Sequence, residues 1–334
     1  MIAMGPRQGI LNRRRFIAIL AAAGSAGALP RASFGLAPGA LTWNGIALGA
    51  EASLTLQHHD EAQARLAVEA SVAEVQRLEK IFSLHRPDSA LSRLNASGRL
   101  DEAPTDLRLL LAEALRLAAR SDGAFDPTIQ PLWALYARHF STPGADPEGP
   151  SEDDLVAALR LVGWQGVTLE GAGIRLARPG MALTLNGIAQ GYITDRVGDL
   201  LRSRGFEHVL VDMGEPLALG PAFDGAAWRV AIADPAEAGR VLDTVPLKQG
   251  AVATSSGQGC RFDAVGRFTH ILDPKTGASA RRFAAVTVIA ERATDADGLS
   301  TALSVASPSK APSLLGGRAR AFIVPEGSSA GRWL

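Results

Sequence analysis

The sequence has a single cysteine, Cys260, and no net charge. A lone cysteine cannot form an intramolecular disulfide, so the fold must be stabilised by its core. Thirty-four basic residues balance thirty-four acidic ones, which argues against a polyanionic partner such as nucleic acid. The sequence also has no internal repeat, no zinc-type Cys/His spacing and no G-x-x-x-x-G-K-[ST] loop. The absences leave a globular protein whose partner is another protein or a small molecule, and they disfavour a Rossmann dinucleotide site.

The N-terminal segment has the features of an export signal. Residues 12–17 read NRRRFI, and an alanine-rich apolar run follows as far as Leu29, with a small-residue cleavage site at Ala26-Gly27-Ala28. This pattern predicts a twin-arginine signal over residues 1–32, a periplasmic location and a folded domain over residues 38–334, with no stable membrane insertion after cleavage. An ordinary secretory leader and an uncleaved anchor remain as alternatives.

The remaining pattern predicts an α+β fold. Helical periods, such as the apolar stripe between Asp60 and Phe82, mix with short alternating strands and show no regular βαβ order. We therefore expect mixed or antiparallel sheets packed with helices in two closely joined lobes. The proline-rich and glycine-rich segment at residues 141–150 is the predicted boundary between the lobes.

The central stretch, Leu183–Glu215, predicts a ligand site. It reads as a short strand, a turn over residues 186–191, a helix stopped by Gly205, a second strand at His208–Val211 and an acidic turn. Glycines at 187 and 191 let the backbone approach a ligand closely, and a helix N-terminus behind them favours anionic oxygens. The order therefore suggests a diphosphate site, although a tight strand-to-helix connection without ligand fits it equally well.

A second stretch near the C-terminus, ATDADGLSTALSV, predicts a cation site. Asp297 and Thr301 are four residues apart, so a helix places their oxygens on one face, one turn from each other. A carboxylate and a hydroxyl suit Mg²⁺, which prefers oxygen ligands and takes few of them from protein. The alternative is a capped, solvated first turn of a helix.

Three further polar stretches are candidates for ligand binding. HILDPKTG begins at His270, GAFDPTIQPL begins at Gly123, and AVATSSGQG contains a predicted polar loop at residues 254–257. In order along the chain, the GAFDPT, LNGIAQGY, HILDPKTG and DADGLSTAL stretches resemble the motifs of the FAD:protein FMN transferase (ApbE-type) family. The sequence LNGIAQGYITDR followed by LVDMGE is most similar to the NosX branch, whose members are accessory proteins of nitrous oxide respiration.

The resemblance implies an ApbE-like fold, FAD as substrate, Mg²⁺ as cofactor and a set of site residues. His270 becomes the candidate general base, Asp297 a catalytic residue, and Gly187 (through its backbone carbonyl), Asp297 and Thr301 the metal ligands. The cofactor-binding residues are expected to be Ser89, Asn95, Asp126, Thr128, Asn186, Gly187, Gln190, Gly191, Asp212, Thr254, Ser255, His270 and Asp273.

The resemblance also implies an activity: transfer of FMN from FAD to a threonine or serine hydroxyl of an acceptor flavoprotein, with release of AMP. For the NosX branch the acceptor would be a membrane flavoprotein similar to NosR. Two positions depart from the family's usual pattern, since Gln190 replaces a lysine and Thr184 an acidic residue. These departures motivate the alternative of an FAD-binding accessory protein without turnover; an FAD pyrophosphatase is a further alternative, because water can replace the hydroxyl.

Overall fold

The computed structural model describes residues 40–334, so the predicted signal at residues 1–32 lies outside them. All the strand pairings named in this part of the chain are antiparallel. The strands are β1 Ala40–Ala47, β2 Ala50–Gln57, β3 Arg99–Leu100, β4 Val167–Glu170, β5 Gly173–Leu176, β6 Val209–Asp212, β7 Pro216–Leu219, β8 Trp228–Ala233, β9 Val241–Leu247, β10 Gln249–Ser256, β11 Phe283–Ala290, β12 Arg320–Pro325 and β13 Arg332–Trp333. Eight of them form one sheet in the order β1-β2-β6-β7-β10-β11-β12-β13.

The helices follow the predicted apolar stripes. They are α1 Glu61–Phe82, α2 Ala90–Ser97, α3 Thr105–Arg120, α4 Gln130–Ser141, α5 Glu152–Leu159, α6 Ala189–Ser203, α7 Ala293–Val305 and α8 Ala311–Leu315. Asp60 caps α1 by accepting hydrogen bonds from the N–H groups of Ala62 and Gln63, as the sequence predicts. Ser151 caps α5 in the same way through the N–H of Asp154.

The main core lies on one face of the large sheet. Helices α1, α6 and α7 pack there, and α7 lies directly against β10 and β11. The opposite face is covered around Trp228 and Val245 by the β8–β9 hairpin. This arrangement confirms the predicted α+β class. It also places α6 and α7 side by side, with β10 beneath α7.

The predicted strand at the start of the central stretch is wrong. Residues 181–185 belong to no helix and to no sheet. The backbone N–H of Leu183 donates to Oδ1 of Asn95, and its carbonyl accepts a hydrogen bond from Nδ2 of the same side chain. Because one amide side chain satisfies both backbone groups, the segment needs no neighbouring strand.

The predicted loop at residues 254–257 is also partly wrong. Thr254 and Ser255 lie in β10 and pair with β11. Strand alternation sends their side chains to opposite faces. The Thr254 hydroxyl contacts that of Thr287, whereas the Ser255 hydroxyl points to the helix α7 side.

The predicted lobe boundary at residues 141–150 joins α4 to α5. These two helices pack in the same small cluster, around Leu135 and Ala158. Helices α4 and α5 therefore pack against each other across this segment, and the boundary between two lobes stays a prediction. Between residues 40 and 334, no helix combines the length and the apolar character needed to cross a membrane.

Candidate active site between two helices and a strand

The site begins where α6 passes the start of α7. Gly191 is the third residue of α6, not part of the turn that precedes it. Its N–H donates to Oδ2 of Asp297 at 3.0 Å, which ties the two helices together. A side chain at position 191 would overlap the carbonyl oxygen of Ala293. Glycine is therefore required here for close packing of the helices, whereas the sequence suggested ligand access.

One turn after Asp297 in α7, Thr301 contacts Gly187 in the turn before α6. The Thr301 hydroxyl donates to the carbonyl of Gly187 at 3.4 Å, and it lies 3.2 Å from the hydroxyl of Ser255. A Cβ at position 187 would come within 2.9 Å of that threonine oxygen. The structure thus places Thr301 in contact with the Gly187 carbonyl and with Ser255, and Asp297 lies one helical turn before Thr301 in α7.

Asp297 is 4% exposed and has no cationic partner in residues 40–334. Burial raises the pKa of Asp297 to about 7; the Gly191 N–H opposes this shift, and the negative charge of Asp195 adds to it. Glu215 is buried nearby, and its pKa is raised well above the usual value by burial and by the charges of Asp297 and Asp212. Burial raises the pKa of Asp212 to about 6. Such a concentration of negative charge favours a bound cation.

The donor set fits a hard divalent cation. It combines one carboxylate, one hydroxyl and one backbone carbonyl, all of them oxygen ligands of the kind that Mg²⁺ takes. The Oδ1 atom of Asp297 accepts no hydrogen bond from the described part of the chain, so a lone pair remains for a ligand. Among residues 40–334, no group of three or more His, Cys, Asp or Glu side chains is arranged to hold a metal ion. A cation here would therefore depend on the mixed donor set and on ligands from substrate and water.

The turn before α6 presents backbone donors beside these oxygens. The N–H groups of Gly187 and Gln190 donate to no acceptor within residues 40–334. Asn186 is exposed at the tip of the turn, and the Oγ1 of Thr184 accepts its N–H. The Gln190 amide packs on Gly214, in the turn between Asp212 and Glu215. An N–H-rich helix start of this kind suits anionic oxygens.

His270 is held by the segment that follows β10. Its Nδ1 lies 3.1 Å from the carbonyl oxygen of Cys260. Because a carbonyl can only accept, Nδ1 carries the proton and Nε2 keeps its lone pair. Burial lowers the pKa of His270 below 6.5, and the bond to Cys260 opposes that shift. The ring is therefore neutral at neutral pH and able to take a proton.

Several predicted cofactor-binding side chains are engaged within the fold. Asp126 accepts hydrogen bonds from the N–H and hydroxyl of Thr128 and from the N–H of Trp164. Ser89 is fully buried; its side chain caps α2, and its hydroxyl donates to the carbonyl of Ser83. The carboxylate of Asp273 accepts the N–H of Lys275 in a turn. Together with Asn95, which hydrogen-bonds the Leu183 backbone, these side chains hold the loops around the site. Their role in binding flavin remains a prediction.

Asp195 is a residue of the site that the sequence did not indicate. This residue is 5% exposed in α6, and its carboxylate accepts hydrogen bonds from the backbone of Ala293 and Thr294 at the start of α7. The available signal was Arg292, which occupies the N-cap position of α7 and supplies no capping side chain. A buried helix start without a local cap must find an acceptor elsewhere, but the sequence does not say where.

The fold and the donor set together define an α+β protein with an oxygen-lined site between two helices and a strand. The model of the ApbE family matches residues 48–323. The FAD:protein FMN transferase of Vibrio cholerae serotype O1 is 35% identical over 230 residues, covering 67% of this chain and 68% of that protein. The chain belongs to the ApbE family, and its relatives show it to be an enzyme of the transferase class.

Solved structures agree with this assignment. The flavinyl transferase ApbE of Pseudomonas stutzeri, in its apo form, is 32% identical, with a TM-score of 0.73 over 88% of this chain and 94% of that one. The ApbE protein of Thermotoga maritima is 29% identical, with a TM-score of 0.77 over 88% of this chain and 96% of that one. The predicted ApbE-like fold is thereby confirmed.

Proposed function

We propose that this protein is a Mg²⁺-dependent FAD:protein FMN transferase that attaches FMN through a phosphoester to a threonine or serine of an acceptor flavoprotein. Curated relatives carry the name FAD:protein FMN transferase. The observation that carries the proposal is the meeting of Asp297, Thr301 and the Gly187 carbonyl beside the N–H groups of the turn before α6.

In this reaction the acceptor hydroxyl oxygen attacks the phosphorus of the FMN half of FAD. A new P–O bond forms, the bond to the AMP half breaks and AMP leaves, while the hydroxyl proton passes to a base. A bound Mg²⁺ would neutralise the diphosphate oxygens, and Asp297, Thr301 and the Gly187 carbonyl would hold it. The N–H groups of Gly187 and Gln190 supply fixed donors to the same anionic oxygens.

His270 is the proposed general base. Its Nδ1–H is fixed on the Cys260 carbonyl, so Nε2 is the atom that accepts the hydroxyl proton. The segment from Cys260 to His270 follows directly after Ser255 and Ser256, which places it at the same end of β10 as Thr301. General-base catalysis by a positioned side chain contributes typically about 10²–10⁴-fold to a rate.

Replacing His270 by glutamine should therefore lower FMN transfer by about 10²–10⁴-fold while FAD still binds. Glutamine can donate to the Cys260 carbonyl but cannot take a proton at neutral pH. His139→Gln is the matched control, because its ring also bonds a backbone carbonyl, that of Asp146. Transfer is measured as AMP release, and FAD binding as quenching of flavin fluorescence. A wild-type rate of transfer in the His270→Gln variant would show that His270 is not the general base.

The wild-type rate should also depend on pH in a defined direction. Because burial lowers the pKa of His270, the ring stays neutral down to mildly acidic pH. At saturating Mg²⁺, which would keep Asp297 ionised, transfer should then hold steady around neutral pH and fall only below the usual imidazole pKa of about 6.5. A loss of rate that begins well above neutral pH would point to a different titrating group.

We further propose a periplasmic location after export by the twin-arginine pathway, and a NosR-like membrane flavoprotein as acceptor. The support is the NRRRFI segment at residues 12–17 and the similarity of residues 183–215 to the NosX branch. Fusion of residues 1–40 to a reporter that is exported only when folded tests the location.

The activity is tested by incubating the protein with FAD, Mg²⁺ and the soluble domain of such a flavoprotein. We expect AMP release together with covalent flavin fluorescence on the acceptor band of a denaturing gel. AMP with only free FMN would identify an FAD pyrophosphatase. Bound FAD without either product would identify an accessory protein, the function that the neutral Gln190 and Thr184 favour.

A further inference from the structure

Helix α7 starts in the core without a cap of its own. Its N-cap residue is Arg292, which makes no capping hydrogen bond, while Ala293 and Thr294 are almost completely buried. The first N–H groups of a helix have no partner within that helix. Because water does not reach these groups, another element must provide the acceptors.

Asp195 provides them from the middle of α6. Its Oδ1 accepts the Ala293 N–H at 2.8 Å, and its Oδ2 accepts the Thr294 N–H at 2.9 Å. The Thr294 hydroxyl also donates to Oδ2, and Nε of Arg292 lies 3.4 Å from that oxygen. A buried carboxylate at a helix N-terminus is stabilised by these donors and by the helix dipole.

The same two helices carry the proposed cation ligands. Gly191 lies one turn before Asp195 in α6 and donates to Asp297, which lies one turn after Ala293 in α7. The contacts of Gly191 and Asp195 therefore fix α7 against α6 at two successive turns. Since Gly187 precedes α6 and Thr301 follows Asp297, the 3.4 Å approach of those two groups depends on this alignment.

We propose that Asp195 is a positioning residue for the cation site: as the remote N-cap of α7, it sets where Asp297 and Thr301 stand relative to the Gly187 carbonyl. The inference rests on the proposed Mg²⁺ site. An asparagine at position 195 has one acceptor oxygen, and its amide N–H₂ group would face the N–H groups of α7. The start of the helix would shift, and the donor oxygens would separate.

The test compares Asp195→Asn with Asp199→Asn in the full-length protein. Asp199 is an exposed aspartate of the same helix, paired with Arg202 at 3.0 Å. Binding of Mn²⁺ to the protein without FAD is measured by electron paramagnetic resonance, beside the Mg²⁺ dependence of FMN transfer. Loss of a residue that orients metal ligands typically weakens metal affinity about 10–100-fold. We expect that loss in Asp195→Asn, with most of kcat restored at saturating Mg²⁺, and wild-type affinity in Asp199→Asn.

A purely structural cap would give a different result. Asp195→Asn would then have a lower Tm but wild-type affinity for Mn²⁺, and the proposal would be overturned. If Asp195→Asn does not fold, Asp195→Glu keeps the carboxylate but moves it relative to the start of α7, and unchanged Mn²⁺ affinity in that variant overturns the proposal as well. Wild-type protein that binds no Mn²⁺ would instead refute the cation site itself, and with it this role of Asp195.

Discussion

Asp297→Asn is expected to lose FMN transfer by at least about a hundredfold, and its metal-free form should nevertheless be more stable than the wild type. The loss follows from removing the only carboxylate of the proposed donor set, because a metal ion stabilises a phosphoryl-transfer transition state by several kcal/mol. The gain follows from removing a charge that is buried beside Glu215 and Asp195 and that has no cationic partner within residues 40–334. Asparagine keeps an acceptor for the Gly191 N–H.

The stability gain should depend on pH with a predictable sign. The pKa of Asp297 is raised to about 7 in the folded protein, so the folded state holds this proton more tightly than the unfolded state. Its contribution to stability is fully present below the unfolded pKa of about 4 and is lost as pH rises through about 7. The advantage of Asp297→Asn in Tm should therefore be largest above neutral pH and should vanish in acid.

Thermal unfolding with and without Mg²⁺, together with AMP release, measures both effects. Wild-type Tm should rise with Mg²⁺, whereas that of Asp297→Asn should not respond. Asp295→Asn is the control, since Asp295 is an exposed residue of the same helix and should leave both quantities unchanged. Full transfer activity in Asp297→Asn would refute the ligand assignment. A lower Tm in its metal-free form would show that the carboxylate is a stabilising acceptor.

The helix and strand order of this fold could be predicted because it depends on local patterns. Asp60 caps α1, Gly205 follows the end of α6 with a φ of +83°, and Asp297 and Thr301 share a helix face. Each of these features involves residues a few positions apart. The wrong predictions involve distant partners. Leu183 belongs to no strand because Asn95 satisfies its backbone, and no local pattern contains that pairing.

The site was predicted in part for the same reason. Motif positions indicated Gly187, Asp297 and Thr301; the structure places Thr301 against the Gly187 carbonyl and Asp297 against the Gly191 N–H, and their role as metal ligands stays a prediction. Polar residues of a motif do not reveal whether their hydrogen bonds go to a ligand or to the protein. The motif predicts Asp126 and Thr128 as cofactor ligands, and their side chains also accept the backbone N–H groups of Trp164 and Gly163, respectively. Asp195 was overlooked because its partners lie about a hundred positions away.

Gly191→Ala should be the most destabilising of the small substitutions at this site. In an isolated helix, alanine is more favourable than glycine by about 1 kcal/mol. Here the added Cβ would overlap the Ala293 carbonyl and lie 2.8 Å from the Thr294 nitrogen, which are backbone atoms that cannot rotate away. Overpacking costs about 1–3 kcal/mol, and separating the helices also breaks the cap from Asp195. The cost of the steric overlap is therefore larger than the gain in helix propensity from alanine.

We therefore expect Gly191→Ala to lower Tm by roughly 5–10 °C and to weaken Mg²⁺-dependent transfer with it. Gly187→Ala is the matched comparison, because its Cβ would meet side-chain atoms only: Oγ1 and Cγ2 of Thr301 at 2.9 and 3.1 Å, and Cε2 of Phe125 at 3.4 Å. That threonine can rotate, so Gly187→Ala should keep a near-wild-type Tm while its cation affinity falls. A Gly191→Ala protein as stable as the wild type would show that α6 and α7 can separate at no cost. The close contact of the two helices would then not be what holds Asp297 in place.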